Sequence, residues 1–228
     1  MKGFFIAGTD TDIGKTRVAA ALLHAYAGLG YRVVGMKPVA AGAEPVDGAW
    51  VNQDVAVLAA AGNVVAAQEL RNPYLFREAI APHLAAERKG VRIEIPRIRA
   101  AFDALASQAD LVVVEGVGGF LVPLSNHKDA GDLAVALELP LILVVGMRLG
   151  CINHALLTRD AIAARGLKLA GWVANRIDPA MAAYDENLAS LKQRLAAPLL
   201  AELPHLAPAE PQRLAHFLPP QKLVALLA

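Results

Sequence analysis

The sequence contains little cysteine, no long apolar run and no excess of charge of one sign. Cys151 is its only cysteine, which excludes a disulfide within the chain and favours a reducing compartment. No stretch approaches the roughly 18 consecutive apolar residues of a membrane-spanning helix. Lys and Arg number 22 against 21 Asp and Glu, a balance that argues against a basic nucleic-acid-binding face. We therefore expect a cytoplasmic protein that binds neither membrane nor nucleic acid.

The chain also lacks a signal peptide pattern, internal repeats and a low-complexity linker. The start, MKGFFIAG, has only a short apolar run and no small-residue cleavage site, so it does not resemble a secretory signal. Hydrophobic residues make up 56 % of the 228 residues, enough for a sizeable core. We therefore predict one domain over residues 1–228.

Short apolar runs alternate with longer segments rich in Ala and Leu. Runs such as VVVE and LILVV are almost continuously apolar, which is typical of strands buried on both faces of a parallel sheet. The alternation predicts an α/β fold with three layers and a doubly wound, mainly parallel sheet. The predicted strands are Lys2–Ala7, Tyr31–Lys37, Leu111–Glu115, Leu141–Val145 and Leu169–Ala174. The predicted helices are Ile13–Leu29, Ile98–Gln108, Asp132–Leu139 and Asn153–Arg165.

Two long stretches and the tail interrupt this alternation. Ala40–Asp54 contains two glycines and a proline and is predicted to be a loop. Asn72–Pro96 contains three prolines and is predicted to leave the sheet, without any motif that indicates its role. The proline-rich tail from Leu203 is expected to run over the surface and to end in a short helix at Gln221–Leu227.

The segment GTDTDIGKT, from Gly8 to Thr16, is close to the phosphate-binding pattern G-x-x-x-x-G-K-[ST]. It has five residues between the glycines instead of four. It lies between a predicted strand and a predicted helix, where the motif requires it. The loop amides and the helix N-terminus favour phosphate, Lys15 can reach the β- and γ-phosphates, and the Thr16 hydroxyl can bind Mg²⁺. The motif predicts a nucleotide site in a fold of the P-loop NTPase type.

Three other charged residues are candidates for the same site. Glu115 ends the buried run VVVEG, where an acid can hold Mg²⁺ beside the phosphates, although a strand-end glutamate can also face solvent. Lys37 ends the second predicted strand before Pro38, at the sheet edge where ligands bind, and can meet a phosphate or a developing anion. Asp54 alone indicates a helix N-cap, but with Thr16 and Glu115 it becomes a third candidate metal ligand.

The segment LGCINHALL begins a predicted helix after the strand LILVVG. Its N-terminal amides could capture a carboxylate. No sequence signature marks a partner that would activate Cys151 as a nucleophile. The six histidines lack metal-ligand spacing, so we expect no histidine-based metal site.

Together these segments resemble the dethiobiotin synthetase family over most of the chain. The five-residue spacer of the loop is the form that this family uses. The matching segments are GTDTDIGKT, GMKPVAAG, the stretch around Asp54, VEGVGGFLVPLS, LILVVGMRLGCINHALLT, LAGWVANR and ELPHL. The resemblance implies that ATP and Mg²⁺ are used to join CO₂ (or bicarbonate) to 7,8-diaminopelargonate, through a carbamate that is phosphorylated and then closes to a cyclic urea. It also implies a homodimer with substrate between the subunits.

The resemblance further implies roles for individual residues. Lys15 and Lys37 would stabilise carbamate and phosphate charge, and Thr11 would contact the carbamate or the amines. The implied Mg²⁺ ligands are Thr16, Asp54 and Glu115. The implied nucleotide contacts are Asp12, Ile13, Gly14, Lys15, Thr16, Arg17, Asp54, Glu115, Gly116, Val117 and Gly118, with a base pocket of Asn175, Arg176, Pro204, His205, Leu206 and Glu210. The implied substrate contacts are Thr11, Lys37 and Ala41, with Gly150, Cys151, Ile152 and Asn153 of one subunit holding the tail carboxylate of substrate bound at the other.

Three positions depart from the family pattern. Ala41 stands where the family often has serine, Arg148 where it has lysine, and Asp12 where it often has glutamate. Two other functions stay open. A partitioning or membrane-cycling switch ATPase would carry an additional lysine early in the loop, where this chain has Thr9 and Asp10. A related ligase could use GTP, since NRID resembles the guanine-reading pattern N-K-x-D.

Overall fold

The computed structural model of the chain describes residues 2–206 and 210–227. The strands are β1 (Gly3–Gly8), β2 (Val33–Met36), β3 (Val39–Ala40), β4 (Glu44–Val46), β5 (Ala49–Val51), β6 (Tyr74–Leu75), β7 (Leu111–Glu115), β8 (Leu141–Gly146), β9 (Leu169–Asn175) and β10 (Leu199–Leu203). The helices are α1 (Lys15–Gly28), α2 (Gln53–Ala61), α3 (Gln68–Arg71), α4 (Pro82–Arg88), α5 (Ile95–Ala106), α6 (Ala130–Leu137), α7 (Cys151–Ala164), α8 (Tyr184–Arg194), α9 (Pro211–Ala215) and α10 (Pro220–Leu227).

Six strands form one parallel sheet in the order β10-β9-β8-β1-β7-β2. Side chains alternate between its faces, so Phe4 and Ile6 of β1 lie in one core cluster and Phe5 and Ala7 lie in the other. Helices α1, α2, α9 and α10 contribute to the first cluster, and α4 to α8 to the second. The predicted three-layer, doubly wound fold is confirmed, because both faces of the sheet are covered by helices.

The first of the two stretches predicted to interrupt the alternation is not simply a loop. It contains the last residue of β3, the antiparallel hairpin β4–β5 and the first residues of α2. Asp47 and Gly48 have φ of 48° and 82° at the hairpin tip, the backbone that an Asp-Gly turn favours. The N-cap role that the position of Asp54 indicated when taken alone is also wrong. The Asn52 side chain caps that helix by accepting from the Val55 N–H at 3.3 Å, and Asp54 lies in the first turn.

The second stretch, Asn72–Pro96, leaves the main sheet as predicted. Its β6 pairs in parallel with β3, and the helix α4 follows. Outside these two stretches and the tail, three elements were not predicted: α3, β10 and α8. QELR and LLAEL are short, and YDENLASLKQR is mostly polar. The tail ends in the predicted helix, observed at Pro220–Leu227, and contains the additional α9. The part of the predicted tail at residues 207–209 lies outside the described residues.

The sheet order puts β1 at the centre, between β8 and β7. Because all six strands run in parallel, their carboxyl ends lie along one edge, and the loops after β1, β2, β7 and β9 meet there. Within residues 2–206 and 210–227, no helix combines the length and apolar character needed to cross a bilayer.

Candidate nucleotide and metal site

The loop between β1 and α1 has a backbone that depends on glycine. Gly14 has φ of 85° and lies directly before α1, where a Cβ atom would lie 2.3 Å from Nδ2 of Asn175. Asp12 has φ of 57°, also in the left-handed region. Asn175, at the end of β9, donates from Nδ2 to the carbonyl of Ile13 at 2.7 Å. The second glycine of the motif is therefore required both for its φ and for the close approach of β9.

Lys15 folds back over this loop. Its Nζ donates to the carbonyl oxygen of Asp10 at 2.7 Å, and the residue is only 6 % exposed. A Cβ at Gly8 would lie 2.7 Å from the Lys15 side chain, so the first glycine leaves room for the lysine. Burial, followed by the charge of Lys37, lowers the pKa of Lys15 to about 8. The ammonium therefore lies within the loop, where a phosphate oxygen could replace the Asp10 carbonyl as its hydrogen-bond acceptor.

Three oxygen-bearing side chains converge beside Lys15. The Thr16 hydroxyl lies 2.8 Å from Oδ1 of Asp54 and 2.8 Å from Oε1 of Glu115. A hydroxyl has one hydrogen, so it can donate to only one of these carboxylates at a time. The second carboxylate oxygen of Glu115, Oε2, is buried and has no hydrogen-bond partner among the described residues. These hard oxygen ligands and this free carboxylate oxygen fit a divalent cation such as Mg²⁺.

Lys37 is the cation that these carboxylates contact in this structure. Its Nζ lies 2.5 Å from Oε1 of Glu115, 3.1 Å from Oδ2 of Asp54 and 3.3 Å from the carbonyl of Gly116. Burial acts to lower the pKa of Lys37, but the charges of Glu115 and Asp54 outweigh it and the pKa is raised. Complete burial raises the pKa of Glu115, although Lys37 opposes this.

Asp54 differs from Glu115 because part of it reaches solvent. Burial acts to raise its pKa, but the charge of Lys37 and the Thr16 hydrogen bond outweigh it, so the pKa of Asp54 is lowered. Asp54 is thus held ionised where the site opens to solvent, whereas Glu115 is fully enclosed.

A cavity of about 170 Å³ opens on the other side of the loop. It brings together seven of the residues implied for nucleotide contacts and adds two that sequence reasoning missed, Ile177 and Leu214. The nine lining residues are Asp12, Arg17, Asn175, Arg176, Ile177, Pro204, His205, Leu206 and Leu214. Among the described residues Glu210 is not one that lines this cavity; it lies immediately before α9. Ile177 is the third residue of the NRID motif, whereas Leu214 reaches the cavity only because α9 packs on α1.

The residues implied for substrate lie away from this cavity, and none of them lines it. Thr11 is exposed, and its Oγ1 is 3.4 Å from where a Cβ of Gly118 would be. The main-chain carbonyl of Ala41 accepts a hydrogen bond from Nδ2 of Asn52 at 3.1 Å. Alanine has no side-chain hydroxyl, so only the main chain can form hydrogen bonds at this position.

The N-terminus of α7 lies beyond Thr11. Gly150, with φ of 93°, precedes α7, and Arg148 pairs with Asp10 at 2.5 Å. Asn153 is exposed and Ile152 is half-buried. Cys151 is buried, and burial raises the pKa of its thiol, which argues against a reactive thiolate. The Arg148–Asp10 pair links this helix to the spacer of the phosphate loop.

The fold and this site define a P-loop nucleotide-binding α/β protein. Solved structures of the same fold include the septum site-determining protein MinD of Pyrococcus horikoshii in complex with Mg-ADP, at 17 % identity with a TM-score of 0.55, covering 97 % of this chain and 88 % of that one. A ParA family ATPase of Chlorobium tepidum matches at 16 % identity with a TM-score of 0.55, covering 99 % of this chain and 94 % of that one. At these identities the likeness shows the fold alone.

Sequence comparison is more specific. A family model described as an AAA domain matches residues 2–213. The ATP-dependent dethiobiotin synthetase BioD of Aromatoleum aromaticum is 59 % identical over 214 residues, covering 94 % of this chain and 95 % of that protein. The chain belongs to the dethiobiotin synthetase family.

Proposed function

We propose that this chain is an ATP-dependent ligase that forms dethiobiotin from 7,8-diaminopelargonate and CO₂ in biotin biosynthesis. The observation that carries the proposal is the convergence of Lys15, Thr16, Lys37, Asp54 and Glu115 at the phosphate loop of a chain 59 % identical to a named dethiobiotin synthetase.

The proposed reaction needs no covalent bond to the protein. One amine of the substrate adds to CO₂ and loses a proton, which gives a carbamate. A carbamate oxygen then attacks the γ-phosphorus of ATP, and ADP leaves. The second amine attacks the carbonyl carbon of this mixed anhydride, phosphate leaves with its oxygen, and the nitrogen loses a proton as the cyclic urea closes. The protein holds the reactants in place and balances their charge.

Each charged group has a role in this proposal. Lys15 stabilises charge on the β- and γ-phosphates, and Lys37 stabilises the carbamate oxygen and the phosphoryl group that it accepts. Thr11, exposed on the spacer and close to Gly118, contacts the carbamate or an amine. Thr16, Asp54 and Glu115 hold Mg²⁺, which supplies charge neutralisation at the phosphates when it is bound. The buried Oε2 of Glu115, without a partner among the described residues, supports this ligand set.

The base and the substrate tail have separate places. The nucleotide base occupies the cavity beside Asn175 and Arg176, which polar and apolar residues line together. The amides of Gly150 to Asn153, at the N-terminus of α7, bind the tail carboxylate of substrate held at the partner subunit. The exposed apolar side chains of Leu149 and Leu157, 91 % and 61 % exposed, support a homodimer contact along this helix.

One assay tests the function. The chain is incubated with diaminopelargonate, ¹³C-bicarbonate, ATP and Mg²⁺, and the product is analysed by mass spectrometry. We expect a cyclic urea that carries one ¹³C atom, formed in equal amount with ADP. Hydrolysis of ATP at the same rate with and without diamine would contradict the proposal and would favour a switch ATPase. Comparison of initial rates with ATP, GTP and CTP identifies the base, and strict dependence on GTP would indicate the alternative ligase.

A further inference from the structure

The main chain of Lys37 lies beyond the hydrogen-bond ladder of the sheet. Strand β2 ends at Met36, whose partner is Val114, and β2 is the last strand of the sheet among the described residues. Pro38 follows and has no N–H to donate. The Lys37 side chain is nevertheless enclosed, 5 % exposed, with its Nζ close to two carboxylates. Its main chain therefore needs support from outside the sheet.

That support comes from the segment at the end of α3. The N–H of Lys37 donates to the carbonyl of Arg71 at 2.8 Å. The side-chain Nδ2 of Asn72 donates to the carbonyl of Lys37 at 2.6 Å and to the carbonyl of Tyr74 at 3.1 Å. Asn72 is 6 % exposed, and its own N–H donates to Gln68 at 2.7 Å. One buried amide thus ties the end of β2 to the start of β6.

A second buried amide supports the continuation of the same segment. Asn52, 7 % exposed, donates from Nδ2 to the carbonyls of Ala41 at 3.1 Å and Gly42 at 3.3 Å. Asn52 and Asn72 both line one cavity of about 130 Å³ behind this segment. The chain from Lys37 to Gly42 is therefore supported from behind by two asparagines that come from different parts of the sequence.

We propose that Asn72 is a positioning residue for Lys37, acting through the main-chain carbonyl rather than by contact with substrate. The role of Lys37 in the reaction rests on the proposed function. Without the Asn72 amide, the carbonyl of Lys37 loses a buried donor, and the Cα position from which the long side chain extends is no longer fixed. A displacement of about 1 Å in a reacting group costs about a hundredfold in rate. The start of the Asn72–Pro96 excursion thereby acquires a function.

Two variants and a matched control test the proposal. Asn72→Ala removes the whole amide, and Asn72→Leu keeps the size and branching of the side chain while removing the donating nitrogen and adding no charge. The control is Asn63→Ala, because Asn63 braces the opposite end of the same strand, accepting from the Val33 N–H at 2.7 Å and donating to the Tyr31 carbonyl at 2.9 Å. We expect both Asn72 variants to lower kcat for cyclic urea formation by about ten- to a hundredfold. We expect Asn63→Ala to change kcat less than twofold and none of the three to change the Kd for ADP.

A double-mutant cycle separates positioning from general damage to the fold. If Asn72 acts through Lys37, Asn72→Ala causes no further loss in a Lys37→Ala background, whereas Asn63→Ala adds its own effect unchanged. Additive losses of Asn72→Ala and Lys37→Ala would overturn the proposal. So would wild-type kcat in the Asn72→Leu variant, which lacks the donor and leaves a smaller void than Asn72→Ala.

A measurement without turnover distinguishes this proposal from the proposed function. The ¹H–¹⁵N resonance of the Lys37 ammonium, assigned by its loss in Lys37→Arg, reports the ion pair directly. We expect it to shift or broaden in Asn72→Leu and to stay unchanged in Asn63→Ala. An unchanged Lys37 resonance in Asn72→Leu would refute the positioning role even if the chain makes dethiobiotin. A shifted resonance in a chain that makes no cyclic urea would support the positioning role and refute only the proposed reaction.

Discussion

Lys37 and Glu115 form an ion pair that is buried on both sides, with Nζ 2.5 Å from Oε1 and the two side chains 5 % and 1 % exposed. The same Glu115 oxygen also lies 2.8 Å from the Thr16 hydroxyl. A lysine therefore stands within the group of oxygens that fits a divalent cation. Lys37 balances the carboxylate charge, and a bound metal ion would compete with it for the same oxygens.

Replacement of Lys37 by methionine keeps the apolar length of the side chain and removes its charge. We expect product formation to fall by at least about a hundredfold, because the charge developing on the phosphoryl group loses a donor. The Kd for ADP should stay within a few fold of wild type, since the phosphate loop is unaltered. Removal of one partner from a buried pair costs about 3–5 kcal/mol, so Tm should also fall without metal, and Mg²⁺ should restore part of the loss.

Steady-state kinetics measures product formation, calorimetry measures the Kd for ADP, and thermal melts measure the Tm. Lys192→Met is the control, because Lys192 is an exposed lysine of α8 that does not line the cavity at the site. Near-normal turnover in Lys37→Met would remove Lys37 from the mechanism.

Glu115→Gln keeps the side-chain volume and removes the negative charge. We expect the Mg²⁺ concentration for half-maximal activity to rise at least about tenfold, because a neutral amide oxygen is a weaker ligand for a hard cation. Glu138→Gln, at a position 78 % exposed, should leave the Mg²⁺ titration as in wild type. A Mg²⁺ requirement that is the same in both variants would exclude Glu115 as a metal ligand.

Two glycines in the left-handed region allow a matched test of the phosphate loop. Gly14 and Gly30 have φ of 85° and 89°, but a Cβ would meet the Asn175 side chain at 2.3 Å only at Gly14, and open space at Gly30. Both alanine variants should lose roughly 1–2 kcal/mol of stability through backbone strain. We expect only Gly14→Ala to abolish ADP binding in calorimetry. Equal ADP affinity in the two variants would mean that the approach of Asn175 does not shape the loop.

The ion pair between Asp129 and Arg165 predicts a dependence of stability on pH. The Arg165 guanidinium lies 2.7 Å from Oδ2 of Asp129, whose Oδ1 accepts from the Asp132 N–H at the start of α6. Burial acts to raise the pKa of Asp129, but these hydrogen bonds outweigh it and the pKa is lowered. Its contribution to stability is therefore fully present above the unfolded pKa, about 3.9, and is lost as pH falls through the lower folded pKa.

Asp129→Asn keeps a capping oxygen and removes the charge. We expect it to lower the free energy of unfolding by about 1 kcal/mol at pH 7, and the difference from wild type to shrink as pH falls below about 4. Urea denaturation at stepped pH measures it. Asp103→Asn, which breaks an exposed pair, should show a smaller difference at pH 7. A difference that grows on acidification would have the wrong sign.

The exposed side of α7 predicts the oligomeric state. Leu157→Glu should shift the sedimentation coefficient from dimer to monomer, since it puts a charge into the proposed contact. Val65→Glu, at a position 98 % exposed, should leave it unchanged. A wild-type chain that sediments as a monomer at micromolar concentration would contradict the homodimer.

Local patterns predicted those parts of the fold that depend on local chemistry. The continuous apolar runs of β1, β7 and β8 identified the sheet, and the glycines and lysine of GTDTDIGKT identified the phosphate loop. The hairpin β4–β5 was missed although Asp47 and Gly48 mark its turn, because its strands are short and exposed. Asn72 could not have been found, since a side chain that bonds a distant carbonyl leaves no spacing in the sequence. Leu214 likewise reaches the cavity only through the packing of α9 on α1.

The central place of β1 has a consequence for the order in which the molecule forms. Phe4 pairs with Val113, and Ala7 pairs with Leu143, so the strand that carries the phosphate loop finds its neighbours more than 100 residues later in the chain. At about 5–20 residues per second of synthesis, β1 waits several seconds or longer for its partners. Pairings at such sequence distance also slow folding itself. The phosphate loop therefore leaves the ribosome well before the strands that flank β1, and the sheet that holds it can be completed only after those strands have emerged.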